Sequence, residues 1–118
     1  MPKPKNCISV TEAKSLRSNW ISSRAASITN SLGAQDASDF TFSLAEMEEF
    51  LAYVRDESTK QGISNPGIRV YFASYNSVKS NKATVFLAAT DGDDENGTNN
   101  YNVDPLNRGN GGWPPNDY

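Results

Sequence analysis

The sequence predicts an α+β domain. Two helices are expected on one face of a small three- to four-stranded mixed sheet, in the order α-β-α-β-β with a candidate further strand, followed by a long irregular C-terminal tail. Three observations carry this. Two Ser-x-x-Glu signatures each open a stretch with helical apolar spacing. Two β-rich segments follow the turn Asn65-Pro66-Gly67. Ile, Leu, Val and Phe supply 22 residues, of which only Val103 and Leu106 lie beyond residue 90, so residues 1–90 are read as one packed body and 91–118 as a polar tail.

The first helix is predicted from Ser9, where Ser9 and Glu12 form a capping box that satisfies free N–H groups at a helix start. Leu16, Trp20, Ile28 and Leu32 recur at multiples of four, flanked by Val10, Ala13, Ile21 and Ala25, which predicts one buried face. Gly33 is the expected stop, because glycine takes the left-handed backbone conformation without a steric penalty. Asp39–Phe42 reads as a short strand. Ser43 and Glu46 then repeat the box, with Phe42 and Met47 as its hydrophobic staple. Leu44, Met47, Phe50, Leu51 and Val54 mark the expected buried face of a second helix that stops at Gly62.

Ile68–Tyr75 alternates as a strand does. Ile68, Val70 and Phe72 are expected to face the helices, with Arg69, Tyr71 and Tyr75 on the other side. Ala83–Thr90 is apolar on both faces, as expected of a central strand. Thr98–Val103 is the candidate further strand. The tail is rich in Gly, Asn and Asp, a composition that disfavours a core of its own. Tyr101, Val103, Leu106, Trp113 and Tyr118 are its available anchors, so it is expected to dock as a strap on this or a neighbouring chain, with Trp113 foremost.

The net charge of −3 is unevenly spread. Lys3, Lys5, Lys14, Arg17 and Arg24 make the N-terminal third basic, whereas the tail carries six acids against Arg108. An acidic chain is a poor match for phosphate backbones, so no nucleic-acid partner is expected. No apolar run is long enough for a membrane span, and none resembles a secretory leader. With Cys7 as the single cysteine, a cytoplasmic setting is expected.

Catalytic chemistry finds little support. Histidine is absent, which removes the usual activation of a serine or cysteine nucleophile, and no phosphate-binding glycine loop is present. No enzyme activity and no cofactor are expected. Asp91, Asp93, Asp94 and Glu95 are a weak candidate for a divalent cation, because hard cations take clustered oxygen ligands. The spacing fails the EF-hand pattern: counting from Asp91, position six is Asn96 and position twelve is Asn102, so no specific metal is expected.

The remaining signal is aromatic. Arg69, Tyr71, Tyr75 and Phe86 share the sheet face away from the helices, and Tyr, Phe and Arg are enriched in interface cores. Either the tail or a protein partner is expected to cover them. Tyr101, Leu106, Arg108 and Trp113 are added to the candidate interaction residues from the tail, whose Asp104–Gly109 segment is distinctive. The leading reading is a non-catalytic protein-interaction or assembly module whose first expected partner is itself. The alternatives are a metal- or small-molecule-binding protein using the loop after Thr90, and an acidic inhibitor of a basic enzyme.

Overall fold

The computed structural model describes residues 1–77 and 81–108. Its element order is α1 (Val10–Trp20), a π-helical turn (Ile21–Ala25), α2 (Ala26–Leu32), α3 (Leu44–Lys60), β1 (Gly67–Ser74) and β2 (Ala83–Thr90). The α+β class holds. The sheet has two named strands, and their pairing is antiparallel rather than mixed.

Both capping signals act as expected. The Glu12 N–H donates to Ser9 Oγ and the Glu46 N–H to Ser43 Oγ, each at 3.0 Å. The first helix ends at Gly33, whose φ of 78° is the left-handed value that favours glycine. It is not uniform. The hydroxyls of Ser22 and Ser23 both donate to the Asn19 carbonyl, at 3.3 and 2.6 Å, and the helix widens into its π turn where these side chains compete for backbone acceptors.

This first helical arm does not pack on the sheet face as expected. Of its stripe only Ala25 is buried; Trp20, Ile28 and Leu32 are half-buried, while Val10 and Leu16 are exposed. The arm is tied instead to the connector that follows it. Arg17 donates to the Ser38 carbonyl and hydroxyl, and Asp36 Oδ1 accepts from the backbone N–H of Ala37 at 2.8 Å and of Ala83 at 2.7 Å. Asp36 thereby pins the connector to the first residue of β2. The expected strand at Asp39–Phe42 reduces to a single bridge residue at Asp39, and the backbone is extended at Ser43, where α3 is capped.

The core lies between α3 and β2. Phe50 and Val54 from α3 meet Leu87 and Ala89 from β2 and Val103 from the tail, with Phe42, Met47 and Leu106 packed around them. Two residues of the expected α3 stripe fall outside it: Leu51 is 45% exposed and Leu44 is exposed. A helix lying along one strand needs only a narrow apolar stripe, so Met47, Phe50, Val54 and Ser58 face inward and Leu51 sits at the margin.

β2 is central, as its two-sided apolar pattern requires. β1 flanks it on one side, with Val70 opposite Leu87. Its other edge is occupied in two places by the tail. Thr90 bridges Asn99, and Leu87 and Leu106 exchange backbone hydrogen bonds of 2.9 Å in both directions. The expected strand at Thr98–Val103 therefore reduces to the single bridge at Asn99, with a second bridge beyond it at Leu106. Between them Asn100 Oδ1 accepts from the Asn102 N–H at 3.1 Å, turning the chain and dropping Val103 into the core.

Candidate interaction surface

The two faces of β1 have different fates. Arg69, Tyr71, Ala73 and Tyr75 lie on one face and are half-buried. Ile68, Val70 and Phe72 lie on the other and are exposed.

The first face is closed by the chain itself. Arg69 reaches into the loop after β2: its Nη1 donates to Asn99 Oδ1 at 2.9 Å, and its Nη2 to the carbonyls of Glu95 at 3.1 Å and Gly97 at 2.9 Å. Asn99 also donates from Nδ2 to the Tyr71 hydroxyl at 2.6 Å, while the Tyr71 ring stacks on Phe86 with centroids 5.0 Å apart. At the far end the Tyr75 hydroxyl donates to Asn107 Oδ1 at 3.0 Å, and Asn107 Nδ2 donates to Thr84 Oγ1 and the Val85 carbonyl. The candidate residues Arg69, Tyr71, Tyr75 and Phe86 are thus brought together, beneath residues 95–107 of their own chain. Sequence reasoning missed Asn99 and Asn107. Asn99 joins two partners and Asn107 three because an amide carries both donors and an acceptor, but nothing in their neighbourhood distinguishes them from the tail's other asparagines.

Other candidates scatter. Leu106 packs beside the core. Arg108 forms a partly exposed ion pair with Glu46 at 3.4 Å, a contact of small energetic value. Tyr101, expected as an anchor, is instead 88% exposed, since the turn at Asn100 aims it outward. Trp113 and Tyr118 lie outside the described residues. In the acidic loop Asp91 Oδ1 accepts from the Thr98 N–H at 2.7 Å and Asp94 Oδ1 from the Asn96 N–H at 2.9 Å, so two of the four carboxylates shape the loop's own backbone. Among the described residues no group of three His, Cys, Asp or Glu side chains could hold a metal ion. The cation that gathers the loop's carbonyl oxygens is the guanidinium of Arg69.

The second face is open. Pairing of Ile68 with Ala89, Val70 with Leu87 and Phe72 with Val85 puts these three side chains on the same face as the core residues of β2. They share the expected helix-facing side, yet α3 covers the β2 column alone, leaving Ile68 38%, Val70 57% and Phe72 89% exposed. The backbone of the same residues is open too. Leu87 directs its N–H and carbonyl at Leu106, so Val70 opposite it belongs to a pair that exchanges no hydrogen bonds. By alternation the backbone groups of Ile68, Val70 and Phe72 all point outward, and no described residue pairs with that edge. Beyond Phe72 lies an apolar groove of about 350 Å³ walled by Trp20, Ile28, Phe40 and Ala83. The indole nitrogen of Trp20 is buried with no hydrogen-bond partner among the described residues.

No family model matches the chain, and no curated protein or solved structure matches it either.

Proposed function

We propose that this chain is a non-catalytic protein-interaction module that takes an extended segment of a partner along the outer edge of β1. One observation carries the reading: Ile68, Val70 and Phe72 present exposed apolar side chains and outward-pointing backbone groups together. Strand addition uses both, with main-chain hydrogen bonds for affinity and alternate side chains for specificity. Edge strands in isolated domains are ordinarily blunted by charge, proline or a bulge, and between Gly67 and Ser74 the only charged side chain, Arg69, is turned to the opposite face and bound there. The fitting partner strand offers apolar residues at every second position. An exposed, free Cys7 supports a cytoplasmic setting for this module. In the described residues no helix is long and apolar enough to cross a membrane.

The test is site-specific photocrosslinking in cells with a benzophenone amino acid at Phe72, against the same group at Tyr101, which is equally exposed but off the edge. Discrete protein adducts are expected at Phe72 and not at Tyr101. Equal or absent adducts at the two positions would refute the reading.

A further inference from the structure

We infer that the strand received by this edge is β1 of a second copy of the chain, giving a two-fold dimer with a continuous four-stranded antiparallel sheet. The inference rests on the docking reading above and names its partner.

The specification of the edge is met by β1 itself. A two-fold axis through Val70 sets Val70 opposite Val70 of the second copy and Ile68 opposite its Phe72. These are the residues whose N–H and C=O groups point outward, so the pairing forms about six interchain hydrogen bonds. The same register brings Ile68, Val70 and Phe72 of both copies onto one face in directly opposed pairs, where aromatic and β-branched neighbours stabilise each other. A self-complementary patch of this kind is what a closed two-fold interface demands. Pro66, which has no N–H to donate, falls at the end of the paired stretch, opposite Ser74 of the second copy.

Charge selects the antiparallel arrangement. The acidic loop closes over the Gly67 end of the strand: a side chain at Gly67 would meet the Gly92 carbonyl at 2.6 Å and the Asp93 Cα at 3.3 Å. Parallel pairing would place the two acidic loops side by side. Antiparallel pairing about Val70 separates the two Gly67 positions by six residues along the strand, about 20 Å at the ordinary rise. That is beyond the Debye length of roughly 8–10 Å at physiological salt. Each acidic loop then lies toward the Ser74 end of the other copy, away from that copy's own acidic loop.

The experiment uses the full chain with Cys7→Ser, to which Val70→Cys is added. A hydrogen-bonded antiparallel pair has Cα atoms about 5.5 Å apart, inside the range a disulfide spans. Mild oxidation is expected to convert most of this variant to a disulfide-linked dimer, while Tyr101→Cys in the same background stays largely monomeric. Light scattering of the native chain is expected to rise with concentration from 12.9 kDa toward twice that mass. Val70→Lys is expected to hold it at the single-chain mass with an unchanged circular dichroism spectrum, because Val70 is exposed in the single chain. A native mass fixed at one chain, with no disulfide through position 70, would overturn the inference. If Phe72 then still crosslinks other proteins in cells, the docking reading stands and the second-copy inference alone falls. If neither occurs, both fall.

Discussion

Replacing Arg69 with methionine tests whether one side chain holds the loop after β2 in place. Methionine keeps an apolar stem of similar length over the sheet and removes the guanidinium. Three hydrogen bonds are lost. The one to the Glu95 carbonyl is exposed and water replaces it at little cost, whereas those to Asn99 Oδ1 and the Gly97 carbonyl are partly buried. A hydrogen bond to a charged group contributes about 1.5–3 kcal/mol in a buried setting, and half-exposure reduces that, so the two together are worth about 2–3 kcal/mol. With a urea slope of about 1–3 kcal/mol per molar, the unfolding midpoint should fall by roughly 1 M. Arg69→Lys should retain part of this, since an ammonium cannot reproduce the fork. Hydrogen exchange supplies the local readout: the amides of Thr98, bound to Asp91 Oδ1, and Asn100, bound to the Ala89 carbonyl, should lose protection before those within β1 and β2. A midpoint and exchange pattern unchanged by Arg69→Met would refute the view that Arg69 is the latch.

Three further outcomes are expected. Val54→Ala removes two methyl groups from a site only marginally exposed and should cost about 2–3 kcal/mol in urea unfolding, whereas Leu51→Ala, at the margin of the helix, should cost less than about 1 kcal/mol. Ser58 is fully buried and its hydroxyl has no partner among the described residues, so Ser58→Ala should leave stability unchanged or raise it by about 1 kcal/mol; a clear loss would reveal a partner for that hydroxyl. Ser43→Ala should lower stability by about 1 kcal/mol, read as a shift in the thermal midpoint, by freeing the Glu46 N–H.

What the sequence made legible follows the range of the interactions. The caps at Ser9 and Ser43 and the stop at Gly33 are decided within four residues, and they stand where the sequence puts them. The alternation in β1 correctly divides Ile68, Val70 and Phe72 from Arg69, Tyr71 and Tyr75, because a strand's side chains must alternate. What alternation cannot tell is how wide the helical layer is. With α3 lying over β2 alone, β1 keeps the expected facing but loses the expected burial, and the same narrowness leaves Leu51 outside the core. Tyr101 and Val103 suggest a strand over residues 98–103, yet the Asn100 side chain turns the backbone within two residues. The bonds linking Arg69 to Asn99 and Tyr75 to Asn107 span about thirty residues, and no local pattern encodes them.

The choice of which face of β1 is covered from within has a physical cause. Arg69, Tyr71 and Tyr75 are apolar along their bodies and polar at their tips. A loop made almost entirely of Asp, Asn, Gly and Thr can cover such side chains, because each tip pairs with an amide or carbonyl that covering would otherwise leave unsatisfied. Ile68, Val70 and Phe72 carry no polar side-chain atom. A polar loop laid over them would lose water at its own groups and gain no hydrogen bond in return. Their cover has to be apolar, and among the described residues of the tail Val103 and Leu106 are already used on the α3 side of β2. The composition that lets the loop close one face therefore leaves the other open. An edge in that condition is matched by a strand carrying apolar side chains at every second position, and β1 is such a strand.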